Sequence, residues 1–260
     1  LLLECFLLQN VQLQTFLNLQ LHRLRLQIWA ECTKKNLSAV LKCAWNFFQV
    51  HFFYYGNNTE VFMELLDYVE WRGDLDFDSS PLNPVDALIF CQLSYLNFDG
   101  ILQKDFSSSV TLNQCASMFA ADNFETRRDL GLLINPKTVD LLFACASSVR
   151  FGKLLLSGYV NKYSLTHEEQ FSALTFFYES KNKKSSFAFV SFRGTDDTII
   201  GWKEDFNLAF KENIPAQKDA LSYLTESSAS FKKAAVYCGG HSKGGNLAIY
   251  AGAFLNKKYQ

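Results

Sequence analysis

The sequence predicts a mixed α/β fold, with helices first and a sheet after them. Residues 63–150 carry helix-start signals and apolar residues at helical spacing. Residues 154–193 hold three strand-like runs, and residues 234–255 read as strand, glycine-rich turn and helix. A helical region followed by strands and crossing helices implies helix packed on sheet.

The elements follow in chain order. Asn83-Pro84 opens a helix, with Asn as N-cap, Pro at the first helical position and Asp86 in the first turn. Val85, Leu88, Ile89, Leu93 and Leu96 then keep helical spacing. Thr111 and Asn135-Pro136 read as two further helix starts, the second feeding Val139, Leu142, Phe143 and Ala146. Leu154 to Tyr163, Gln170 to Glu179 and Ser186 to Arg193 read as strands. The polar tract Ser180 to Ser185 makes the last two an antiparallel hairpin. Pro215 to Ser230 has helical spacing at Ala220, Tyr223 and Leu224. Ala234 to Cys238 reads as a short strand, and Leu247 to Leu255 as a helix.

Composition narrows the class. The 260 residues are 48% hydrophobic and 20% charged, as in a globular protein with a real core. A net charge of −1 gives no strong pull toward nucleic acid or an anionic membrane. The seven cysteines form no C-x-x-C pair and are odd in number, which reads as free thiols in a reducing compartment, the cytoplasm. No secretory signal is expected, because Leu1-Leu2-Leu3 is apolar without a basic segment before it or a small-residue cleavage site after it. The apolar stretch Leu37 to Tyr55 contains Lys42, Asn46, Gln49 and His51 and falls short of a membrane span. Residues 1–62 differ from the rest. They are rich in Leu and Gln and lack clear helix caps, and five cations against three acids leave them at +2. They are expected to be an ill-defined extension, with Met63 as the natural start and residues 63–260 as the folded unit.

The stretch Gly240-His241-Ser242-Lys243-Gly244 spells G-x-S-x-G. A serine on a sharp strand-to-helix turn leaves no room for side chains at the flanking positions, so both must be glycine. The turn lifts the Ser242 Oγ clear of the backbone and puts the Lys243 N–H at a helix N-terminus, facing a developing oxyanion. The plainer reading is a glycine-rich packing turn with a buried serine. The apolar strand before it and the apolar helix after it favour a nucleophile elbow. A second donor is expected from a loop after a neighbouring strand. Phe192-Arg193-Gly194-Thr195-Asp196 is such a stretch, and Thr195 offers both an N–H and a hydroxyl. Trp202 and Asp205 sit three apart and would share a helix face.

The combination FRGT…W..D with GHSxGG resembles the class 3 lipase branch of the α/β-hydrolases. A closer likeness is to a bacterial family of lipase-like hydrolases. It is carried by Asp67-Tyr68-Val69-Glu70-Trp71-Arg72-Gly73-Asp74, by Gln92 to Gly100, and by Ser157-Gly158-Tyr159-Val160-Asn161. It continues through Arg193 to Asp197, Gly201 to Phe206, Pro215-Ala216-Gln217 and GGHSKGGNLA. The likeness spans residues 63–260. It implies an α/β-hydrolase-like mixed sheet, mainly parallel around the elbow and incomplete at its C-terminus. It also implies a serine hydrolase with Ser242 as nucleophile and Lys243 N–H and Thr195 as oxyanion donors. Trp202 and Asp205 would support the oxyanion loop. Lys243 departs from the apolar residue lipases carry there. Its side chain is expected to be solvated, with selection of an anionic acyl substrate as the sharper alternative.

The triad partners are not in view. On this fold Asp or Glu and then His follow the serine, yet Gly244 to Gln260 contains none of these. His22 and His51 lie in the extension, and His167 sits in a polar turn before Glu168-Glu169. His241 adjoins the serine but should point away from its Oγ, as packing support. The acid and base are therefore expected beyond residue 260, and residues 1–260 alone are expected to be nearly inactive, because an unassisted serine is a poor nucleophile. The alternative is a non-catalytic member that binds a ligand or partner. Asp74, Asp76 and Asp78 alternate like part of a calcium loop but lack its glycine and distal Glu, so they read as a solvated loop. No phosphate-binding or dinucleotide fingerprint occurs. No metal, cofactor or nucleic-acid partner is expected.

Overall fold

The computed structural model describes residues 64–130, 134–164, 169–181, 185–195 and 214–255. The expectations for residues 1–62, Met63, His167, Trp202 and Asp205 lie outside these residues. The element order is α1 (Leu65–Arg72), α2 (Pro84–Leu93), β1 (Val110–Thr111), α3 (Leu112–Ala121), α4 (Phe124–Arg127) and α5 (Thr138–Ser147). Then come β2 (Leu155–Ser164), β3 (Glu169–Tyr178), β4 (Phe187–Phe192), α6 (Pro215–Ser230), β5 (Ala235–Gly240) and α7 (Lys243–Phe254).

Two of the expected helix starts have the expected chemistry. The Asn83 side chain accepts from the N–H of Val85 and Asp86, and Asp86 answers by accepting from Asn83 N–H. Thr111 and Gln114 form the same reciprocal pair at α3. The third start is displaced. Asn135 Oδ1 accepts from Lys137 N–H, and Asn135 O accepts from Thr138, so a turn occupies Asn135-Pro136 and α5 begins at Thr138.

The sheet order is β1-β2-β3-β4-β5. The pairs β1·β2, β2·β3 and β3·β4 are antiparallel, and β4·β5 is parallel. Antiparallel strands followed by a parallel pair at the elbow make the mixed sheet that was expected, and β4·β5 is the parallel pair among the described residues. The connections explain it. The short β2–β3 and β3–β4 links can only reverse the chain, whereas the β4–β5 crossover is long enough to carry α6.

Both faces of the sheet are covered. Phe176, Phe187 and Phe189 pack with residues of α1, α2, α3 and α5 on one face. Phe171, Val190 and Phe192 pack with Ala220 and Leu224 of α6 and Leu247 and Ala251 of α7 on the other. Every residue of β4 is buried, as a strand covered on both sides requires. The helical side is pinned by a buried ion pair. Arg150 Nε donates to Asp86 Oδ1 at 2.7 Å and its Nη2 to Oδ2 at 2.5 Å, with both side chains fully buried. Tyr68 donates to the same carboxylate at 3.0 Å, and the guanidinium lies 4.0 Å over the Phe77 ring.

Two carboxylates of the D-x-D-x-D stretch are engaged, Asp76 in a local turn and Asp78 with the segment after β3. Asp76 accepts from Ser79 N–H, and Asp78 accepts from the Ser180 hydroxyl and Lys181 N–H. No group of three or more potential metal ligands occurs among the described residues. No described helix is long and apolar enough to cross a membrane.

Candidate active site

The site forms where the parallel pair ends. Phe192 of β4 lies opposite Gly240 of β5, so residues 193–195 and 241–242 leave the same carboxyl edge side by side. That edge is the usual ligand-binding position of an open α/β sheet.

Ser242 takes φ 55° and ψ −123°. Among the described non-glycine residues only Asn123 shares a positive φ, and that residue lies in the left-handed helical region. A conformation so poorly tolerated by a side chain stores strain, and the surrounding turn must hold it. The serine is exposed, not buried. This goes against the packing-turn reading. The glycines behave as the elbow requires. A Cβ on Gly244 would run into the backbone carbonyl of Phe192, and one on Gly240 would meet Phe192 O at 2.5 Å. Side chains here would force β4 and α7 apart.

The first turn of α7 is closed by His241 and Ser242. Gly244 N–H donates to His241 O at 2.9 Å, and Gly245 N–H to Ser242 O at 3.0 Å. Lys243 is the first helical residue, so its N–H sits at the positive end of the helix beside the serine.

The Lys243 side chain is not solvated. It is 4% exposed, and its Nζ donates to Gln170 O at 2.8 Å and Gln170 Oε1 at 3.0 Å. Its long apolar stem runs under the sheet and its ammonium group is held by amide oxygens of β3. The expectation failed because the lysine occupies an inward position of α7. This removes the reason for reading it as a selector of anionic substrates.

The second loop is equally anchored. Arg193 N–H donates to Ser172 O at 2.9 Å, extending the β3·β4 ladder by one bond. Its Nη2 donates to Asn161 Oδ1 at 2.9 Å, and Asn161 Nδ2 donates to Asp99 Oδ2 at 2.9 Å. Gly194 is wedged between the two loops: a Cβ there would strike the Tyr95 hydroxyl and lie 2.6 Å from His241 O. Thr195 follows it, half-buried, at the end of the described loop. The structure thus brings Arg193, Gly194 and Thr195 to the turn that holds Gly240, His241, Ser242, Lys243 and Gly244.

His241 is exposed, and its Nδ1 lies 3.1 Å from the Tyr95 hydroxyl. It is the sole histidine among the described residues. A small cavity of about 140 Å³ is walled by Tyr95 and Arg193 together with Asn97, Arg127, Leu130 and Ile134, and neither His241 nor Ser242 lines it. Arg127 is held by the backbone oxygens of Asn97, Asp99 and Asp122 and by the Asp122 carboxylate. Cys91 lies beneath the elbow, 3.4 Å from where a Gly239 Cβ would sit. Burial pushes its thiol up to about 12, so it offers no competing thiolate at neutral pH.

Tyr95 and Asn161 escaped assignment from the sequence. Both fall inside the motifs quoted above, yet nothing local gives either a role. Their partners lie 146 and 32 residues away in the chain.

Comparison with known proteins gives one match. A family model described as Mbeg1-like matches residues 145–260, less than half of the chain. The matched part runs from the end of α5 through α7 and so includes the whole carboxyl edge of the parallel pair. No curated protein and no solved structure matches the chain.

Proposed function

We propose that this chain is a serine hydrolase of lipase or esterase type, working by acyl transfer through Ser242. The observation that carries the reading is the backbone of Ser242: an exposed serine held at φ 55° on a strand-to-helix turn, walled by two glycines that admit no side chain. The Mbeg1-like match over residues 145–260 supports it, since that span covers both loops of the site. In the first step Oγ attacks the ester carbonyl carbon and its proton passes to a base. The carbonyl oxygen becomes an oxyanion that accepts from Lys243 N–H and from Thr195. Collapse breaks the C–O bond, the alcohol leaves with the proton, and water then releases the acid from acyl-Ser242. The substrate class is a small-molecule ester or lipid, no cofactor enters the scheme, and the setting is the cytoplasm of a bacterium.

A second reading has its own observation. The described histidine, His241, adjoins Ser242 but has its Nδ1 on the Tyr95 hydroxyl at 3.1 Å. This favours a hydrolase-fold protein that uses the cavity to bind a ligand or partner without turnover. Hydrolysis of a short-chain 4-nitrophenyl ester by the native protein separates the two. The enzyme reading expects turnover that Ser242→Ala removes. Equal rates for wild type and variant would sink it.

A further inference from the structure

We propose that Tyr95 is a positioning residue of this site, its hydroxyl tying the turn that carries Ser242 to the loop that carries Thr195. The inference rests on the reading of Ser242 as nucleophile. Tyr95 comes from neither loop. It follows α2, on the opposite chain segment, and is 8% exposed. Its hydroxyl reaches 3.1 Å from Nδ1 of His241, the residue before the serine. The same hydroxyl fills the space a side chain on Gly194 would need, with the Tyr95 Cζ 3.4 Å from that point. His241 O closes the other side of Gly194 at 2.6 Å. One oxygen atom therefore sits in contact with both loops at the place where they must keep a fixed separation.

That separation matters chemically. Oxyanion donors act only when they lie about 2.7–3.1 Å from the developing charge, and a displacement of about 1 Å costs much of their effect. The β4·β5 ladder sets the spacing as far as Phe192 and Gly240 and stops there. Beyond it the elbow is exposed and strained, and a third contact from the segment after α2 restrains both loops where the ladder no longer does. Glycine at 194 fits the same scheme: any larger residue would displace the hydroxyl.

The test is the rate at which a fluorophosphonate modifies Ser242 in the native protein. Wild type, Tyr95→Phe, His241→Ala and the double variant would be compared, with thermal midpoints beside them. Loss of one bond of this kind predicts a rate about fivefold lower for Tyr95→Phe. His241→Ala should lose a similar factor, and the double variant no more than either alone, because both remove the same contact. The ¹⁵N resonance of His241 Nδ1 should move toward that of a free imidazole in Tyr95→Phe, a change that mere core packing by the ring would not produce. Full labelling rates in both single variants with an unmoved resonance would overturn the brace while leaving Ser242 as nucleophile. Should Tyr95→Phe fail to fold, His241→Ala, at an exposed position, carries the test alone: an unchanged rate refutes the proposal. Absence of labelling in wild type would refute the nucleophile itself, and the brace with it.

Discussion

Adding one methyl group to Gly244 sets the geometry of the elbow against ordinary helix propensity. In a helix interior Gly→Ala is usually stabilising by about 1 kcal/mol, because alanine loses less backbone entropy on folding. At Gly252, in the same helix, the one described atom the new Cβ would meet is Cys238 Sγ at 3.7 Å, an ordinary contact. Gly252→Ala should therefore gain about 1 kcal/mol. At Gly244 the same methyl runs into the Phe192 carbonyl, with Phe192 C at 2.9 Å and Arg193 C at 3.0 Å. These are backbone atoms at the end of β4, and no rotamer change moves them aside. Relief requires α7 to slide off the sheet edge, disturbing the Phe192–Gly240 pairing. Overpacking of this kind costs about 3 kcal/mol, the upper part of its usual range. Urea unfolding followed by circular dichroism reads both variants against wild type. The account expects opposite signs and a gap of about 4 kcal/mol, the sum of the two effects. A Gly244→Ala protein as stable as wild type would refute the steric account of the turn.

Three further outcomes follow. Ser242→Gly should abolish modification by a serine-directed probe while raising stability by about 1 kcal/mol, since glycine adopts a positive φ without strain; a loss of stability in thermal unfolding would show that the turn is not strained. Asp86→Ala should destabilise by about 3–5 kcal/mol in urea unfolding, because it leaves the Arg150 guanidinium buried without its carboxylate. Stability should fall as pH rises from about 9 toward 12. Burial pushes the thiols of Cys91 and Cys115 up to about 12 from 9.0, and the phenol of Tyr159 up to about 12 from 10.0. These raised values favour the neutral groups of the folded state, so their contribution is full below the unfolded values and is lost as pH climbs through the folded ones. Urea midpoints at pH 8 to 11 check this, and a midpoint flat across that range would contradict it.

Local signals were read well from the sequence and long-range ones were not. Asn83-Pro84, Thr111 with Gln114, and the β3–β4 hairpin obey chemistry confined to a few neighbouring residues. The elbow was legible for the same reason: its glycines are demanded by contacts at the turn itself. The start of α5 slipped by two residues because Asn135 serves a turn as readily as a cap. Strand direction follows from what each connection carries, a short polar link for β3–β4 and a helix for β4–β5. Lys243 was misplaced since solvation is only the average fate of a lysine, and its amide partners on β3 lie 73 residues away. The Arg150–Asp86 pair spans 64 residues and the Tyr95–His241 contact 146, and neither leaves a local mark.

The central claim, that Ser242 is an activated nucleophile, is tested most directly by intact mass after exposure of the native protein to a fluorophosphonate. Wild type and Ser242→Ala would be treated side by side. The account predicts one adduct per chain on wild type and none on the variant. A well-folded wild type that gains no mass, or a variant that gains the same mass, would contradict it.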